Sequence, residues 1–207
     1  MAVSSTNKKA KYHHGDLREA LIQSATSMIE KDGVNNLSLR KLAEQVNVSR
    51  TAAYHHFKDK HDLLCAIAAQ GFAQWTEMAE TINNDDSLSP QEKFKQFFLK
   101  YIQFAIDNSA IYELMFGHQL WQSGDDNSTL TSVSYPCFQY QVEMTRTWQQ
   151  QGIFPSSENP TRLAQVTWAT MHGLAKLYID GIYTQSSTIE EMCETAINLL
   201  LNNSPSH

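Results

Sequence analysis

Ser38, Arg40, Ser49, Arg50, Thr51, Tyr54, His55 and Lys60 fall within one short stretch, with Ala52 in the same run. Guanidinium, ammonium and hydroxyl groups are the donors that phosphate oxygens and base edges accept. The chemistry this set suits is therefore recognition of a polyanion with readable edges, and these nine residues are the candidate DNA contacts. Two-helix hairpins with polar outer faces are also common in all-helical proteins, so the spacing alone fits solvation as well as DNA.

A second set lies further along the chain. Phe72, Trp75, Phe98, Tyr101, Tyr112, Phe116, Phe138, Met144, Trp168 and Met171 are bulky aromatics and adaptable methionines at helical spacing. Such residues pack a core first, and they also line apolar ligand pockets between helices. His172 lies four residues after Trp168 and so shares its helical face. There it can bond to a ligand or to a neighbouring backbone group. These eleven residues are the candidate ligand contacts.

Catalytic chemistry finds no comparable support. The chain contains no G-x-S-x-G, no H-E-x-x-H, no phosphate-cradling glycine loop and no Cys–His motif. His13 and His14 beside Asp16, and His55, His56 and His61, invite a metal reading. Adjacent histidines on a helix point about 100° apart, and no further ligand recurs at the required spacing. No catalytic residue, metal or cofactor is expected.

The elements that must position these groups are helices. Leu39, Leu42, Ala43 and Val46 recur with helical period until Asn47, a residue that tolerates the left-handed conformation and can stop a helix. Ser49 can cap a second helix over 50–57, with Ala53, Tyr54 and Phe57 on its inner side. That is helix-turn-helix spacing. Upstream, Leu17, Ala20, Leu21, Ala25, Met28 and Ile29 form one stripe, Asp16 and Glu19 are placed like a capping box, and Gly33 ends the segment. Downstream, Asp59 and Asp62 can cap a long helix over 60–82. Ser89, Pro90 and Glu92 mark a firm helix start, and Ile111 to Phe116 reads as a shorter helix. A helix over 130–151 follows; Pro136 sets its start either there or nearer Tyr135. Helices from Asn159-Pro160 and over 187–201 complete the chain, with no strand signal.

The run LSLRKLAEQVNVSRTAAYHHFKDKHDLL closely resembles the DNA-binding segment of the tetracycline-repressor (TetR) family of bacterial transcription regulators. The match extends over residues 16–64 and includes Gly33, the Ser49 cap, the Tyr54-x-x-Phe57 pair and Lys60 before Leu63-Leu64. Asn47, where the family usually has glycine, and Ala53, where a larger aliphatic is usual, are departures. YHHGDLR together with Trp168-x-x-x-His172-Gly173 also resembles the subgroup whose C-terminal domain carries a Trp-His-Gly signature. The resemblance implies an all-α fold: a three-helix DNA-binding domain plus a larger helical domain for effector binding and dimerisation. It further implies a homodimer through the last two helices, a double-stranded operator and a small-molecule effector, apolar or aromatic given the candidate residues.

Charge agrees with that division. Residues 1–60 hold 10 Lys and Arg against 6 Asp and Glu, a net of +4, whereas residues 61–207 hold 6 against 16, a net of −10. A basic lobe on an acidic body orients toward a polyanion. With 207 residues, 42% of them hydrophobic, the chain can bury a small domain and a larger one. The expected organisation is a basic disordered arm over 1–11, a DNA-binding domain over 12–60, and an effector and dimerisation domain over 61–203. Three scattered cysteines, no signal-like apolar start and no long apolar run place the protein in the cytoplasm, without a membrane partner. The main reading is a repressor released by its effector. A helical sensor or interaction module without specific DNA binding is the alternative.

Overall fold

The computed structural model describes residues 14–121, 128–183 and 188–202. The chain divides into two compact units, Met1–Leu64 and Cys65–His207.

In the first unit α1 (His14–Asp32) runs to Gly33, whose φ of +78° turns the chain into a short 3-10 segment, Val34–Asn36. Then α2 (Leu39–Gln45) and α3 (Arg50–His56) form the hairpin. Each starts on a serine cap: Ser38 Oγ accepts from Lys41 N at 3.3 Å, and Ser49 Oγ accepts from Ala52 N at 3.1 Å. Between them Asn47 has φ +57°. Val48 N donates to Ala43 O at 2.9 Å and Asn47 N to Glu44 O at 3.2 Å, the paired bonds of a left-handed helix stop. Leu21, Ile22, Ala25 and Ile29 of α1 are buried along with Leu42, Ala43, Ala53 and Phe57. Ala53 is fully enclosed, so its small side chain suits this inner face. The Arg18 guanidinium lies 5.2 Å from the centre of the Phe57 ring.

Helix α4 (Lys60–Asn83) begins in the first unit and continues into the second. Asp59 Oδ1 accepts from Asp62 N at 2.8 Å at its start. The second unit adds α5 (Pro90–Asp107), α6 (Ser109–Phe116), the single turn α7 (His118–Trp121), α8 (Ser128–Gln150), α9 (Pro160–Ile179) and α10 (Ile189–Asn202). The α5 start has a complete capping box between Ser89 and Glu92. Helix α9 packs against α5, α8 and α10, and α10 also meets α5. Among the described residues the secondary structure is entirely helical, and no helix is long and apolar enough to cross a membrane. Gly71 lets α4 approach α6 closely: a Cβ there would lie 2.6 Å from Met115 Sδ and 2.7 Å from Ile111 Cγ2.

Three local expectations are corrected. Tyr54, expected on the inner side of α3, is 53% exposed, and Ala53 and Phe57 alone take that side. Helix α1 already includes His14, so Asp16 falls in its first turn rather than at a cap position. Helix α8 runs through Pro136 instead of starting beside it. The arm over 1–11, with His13, lies outside the described residues.

Candidate nucleic-acid interface and ligand cavity

Burial of Ala53 and Phe57 fixes which side of α3 faces outward. Arg50, Thr51, Tyr54 and His55 are exposed, and Ala52 is half-buried. Tyr54 is 53% exposed, far more than a large aromatic needs for packing. Ser38 and Ser49 each accept a cap bond on the hydroxyl oxygen, which positions the helix and does not spend the hydroxyl hydrogen. Arg40 Nε donates to Glu44 Oε1 at 3.2 Å, and Arg50 Nη2 lies 3.5 Å from the same oxygen. Lys60 stands apart from this face: its ammonium donates to the Val34 carbonyl at 2.6 Å in a part-buried bond. Lys41, an exposed donor one residue after Arg40, belongs to the same basic stretch, although the sequence argument did not select it. Its Nζ donates to Asn36 O at 3.2 Å.

In the second unit Phe72, Trp75, Tyr101, Phe116, Phe138 and Trp168 line one narrow cavity of about 30 Å³ together with Ser134, Cys137 and Gln141. The last three were missed because they are not apolar. Their spacing with Phe138 along α8, at three and four residues, was the signal that would have found them. Cys137 Sγ donates to Val133 O at 3.0 Å and lies 3.0 Å from Thr76 Oγ1, and burial pushes its thiol pKa up. Gln141 Nε2 donates to Ala164 O at 3.3 Å. Phe98, Met144 and Met171, also expected at a ligand, are buried core residues away from this cavity.

Tyr112 and His172 lie on a separate cleft of about 210 Å³ with Glu113, Gly117, His118 and Lys176, and Phe116 lines both spaces. A chain of hydrogen bonds runs from one to the other. Trp168 Nε1 donates to the Tyr101 hydroxyl at 2.8 Å, which is 2.9 Å from the Tyr112 hydroxyl, itself 2.6 Å from His172 Nδ1. An indole nitrogen only donates, so Tyr101 accepts there. Both hydroxyl protons are used when Tyr101 donates to Tyr112 and Tyr112 to Nδ1 of a neutral imidazole. Burial favours that state by holding the His172 pKa below 6.5, with Glu113 opposing and Lys176 assisting. Burial also raises both phenol pKa values, so the tyrosines stay protonated. Lys176 is ion-paired with Asp180 and Glu113, which raises its pKa.

Among the described residues no group of three or more His, Cys, Asp or Glu is arranged to hold a metal ion. Cys65, Cys137 and Cys193 are buried free thiols, and desolvation pushes that of Cys193 up to about 11.

Comparison with known proteins extends the argument to both units. The sequence profile of bacterial regulatory proteins of the tetR family matches residues 21–67, and that of the tetracyclin repressor-like C-terminal domain matches residues 94–200. An HTH-type transcriptional regulator of Staphylococcus aureus is 27% identical over 153 residues, covering 61% of this chain and 82% of that protein. A protein of unknown function from Rhodococcus sp. RHA1 superposes with a TM-score of 0.83 at 29% identity, over 96% of this chain and 100% of that one. At 13% identity, the fatty acid degradation regulator FadR from Bacillus halodurans shares the fold, with a TM-score of 0.71 over 97% of this chain and 100% of that one. AibR, solved with isovaleryl coenzyme A and operator DNA, does so at 17% identity, with a TM-score of 0.65 over 89% and 97%. Since the C-terminal match alone spans more than half the chain and the other falls on the helix-turn-helix hairpin, this protein belongs to the TetR family of DNA-binding transcriptional regulators and is not an enzyme.

Proposed function

We propose that the protein is a cytoplasmic homodimeric repressor that binds a near-palindromic operator and is released from it by a small apolar or aromatic effector. The observation that carries the DNA reading is the outward face of α3, where Arg50, Thr51 and Tyr54 stand exposed while Ala53 and Phe57 are buried behind them. A helix held this way presents its N-terminal side chains to base edges in the major groove. Arg50 and Thr51 would then read bases and Tyr54 a phosphate. Lys60, with one N–H committed to Val34, keeps two for a backbone contact.

Exposed apolar side chains on the last two helices and the turn between them support the dimer. Val166 is 58% exposed, Ile182 62% and Leu199 64%, with Tyr178 and Tyr183 beside them. A two-fold contact would cover this face on both copies and set two recognition helices roughly 34–36 Å apart, or a multiple of one DNA turn. The effector reading rests on the cavity walled by α4, α5, α6, α8 and α9. AibR, a protein of the same fold, has been solved with both a ligand and operator DNA, which favours the same pairing of functions here. Helix α4 supplies Phe72 and Trp75 to that wall and Lys60 to the first unit, so it is the element through which the two events would communicate.

Selection from randomised duplexes followed by sedimentation tests this reading. It expects a palindromic motif bound by two chains. A stable monomer at micromolar concentration that still binds a palindrome tightly would contradict it.

A further inference from the structure

Trp75 is 5% exposed and forms part of the wall of the narrow cavity, its ring standing edge-on to Phe97 at 5.8 Å. Its indole Nε1 is buried and has no hydrogen-bond partner, the only such side-chain nitrogen or oxygen found among the described residues. An indole N–H can donate and cannot accept, so only an acceptor satisfies it. Among the other polar wall groups, Trp168 Nε1 donates to Tyr101, Cys137 Sγ to Val133 O, and one N–H of Gln141 to Ala164 O. Buried donors are rarely left unmade, and one on a residue that walls an apolar cavity is the kind of polar group that can orient a ligand.

We propose that Trp75 Nε1 is the recognition donor for an uncharged, mainly apolar effector that bears a single carbonyl-type oxygen. This deepens the effector reading and rests on it. The wall around Trp75 contains no Lys, Arg or His and no carboxylate, those of the adjoining cleft lying beyond Phe116, so an ionised ligand group beside the indole would be desolvated without a counter-charge. An oxygen with no charge meets the indole without that cost.

Space for such a molecule comes from Phe116. The cavity of about 30 Å³ holds little more than water, whereas the neighbouring cleft measures about 210 Å³, and Phe116 lines both. Phe116 is the last residue of α6, only half-buried, and touches Phe72, Tyr112 and His172 by ring-edge contacts. Turning that one ring would join the two spaces at the cost of its edge contacts to Phe72 and Tyr112.

The test uses the full chain with 15N-labelled indoles, titrated with acetophenone, with α-methylstyrene, which replaces the oxygen by a methylene of similar shape, and with benzoate. The indole signal of Trp75 is assigned with Trp75→Phe. Acetophenone should move that signal downfield and bind on the order of 10-fold more tightly than α-methylstyrene, with benzoate weakest. Trp75→Phe should abolish the preference and keep α-methylstyrene binding. Phe116→Ala should tighten both neutral probes and preserve the preference, which keeps the test decisive if Trp75→Phe folds poorly. Equal affinity of the two neutral probes for the unaltered protein, an unmoved Trp75 signal, tightest binding of benzoate, or no binding of any probe at millimolar concentration would each overturn the proposal. Operator binding is followed in parallel. Trp75-dependent binding that leaves operator affinity unchanged supports the donor assignment and overturns the effector reading. Release by acetophenone without Trp75 dependence does the reverse.

Discussion

Arg40 and Arg50 converge on one carboxylate, Glu44, in exposed pairs that are worth about 0.2–1 kcal/mol in such settings. A phosphate competes easily with a partner held so weakly. Glu44→Gln should therefore raise affinity for any duplex several-fold at low salt, with the gain fading as salt increases; fluorescence anisotropy at two salt concentrations measures this. Arg50→Ala should instead relax base preference at a cost of about 1–3 kcal/mol if the guanidinium makes a good base contact, and selection on randomised DNA reads that change. His172 supplies a pH dependence with a definite sign. Its folded pKa lies below the ordinary 6.5. As pH falls through that value the unfolded chain takes up a proton that the folded protein resists, so stability declines until the folded pKa is passed. Between about pH 7.5 and 5.5 the native chain should lose more thermal stability than His172→Gln, since the comparison cancels the other histidines.

Among elements, the α2–α3 hairpin was the most legible from sequence because each of its joints is made by a single residue type. Asn47 at φ +57° and the Ser38 and Ser49 caps follow directly from what those side chains can do. Asn47→Gly should be neutral or mildly stabilising and Asn47→Ala should cost about 1 kcal/mol, both checked by urea unfolding. The start of α8 was less legible. Proline punctuates strongly in sequence, yet α8 carries Pro136 within it. The cavity was legible in its aromatic members only. Phe98 and Phe116 look alike in a sequence, and which one borders a void depends on how α5 and α6 pack. The Tyr101–Tyr112–His172 chain joins residues 11 and 60 positions apart, beyond the reach of any local spacing rule.

For the whole molecule, the split of +4 in residues 1–60 against −10 in the remainder predicts operator affinity that falls steeply with salt, because each Lys or Arg on a phosphate releases condensed counterions. Truncation of residues 1–11, with Lys8, Lys9 and Lys11, should reduce the slope of log affinity against log salt if the arm touches DNA. The proposed dimer makes stability depend on concentration. Thermal midpoints should rise as the protein is concentrated, and Leu199→Glu should remove that rise by placing a charge on the face two copies would share. A midpoint independent of concentration in the unaltered chain would count against that interface.

The close approach at Gly71 has a mechanical consequence. With no side chain on α4 at this point, its backbone packs directly on the side chains of Ile111 and Met115 of α6, and only the flexible Met115 thioether can give way to a displacement. Phe116 is the next residue after Met115, so a shift at the end of α6 is handed to α4 with little slack, much as a tooth drives a rack. Gly71→Ala would act as a permanent shim of one methyl group. It should bias the chain toward whichever setting of α4 has the wider gap, and DNA affinity in the absence of any ligand would report which setting that is.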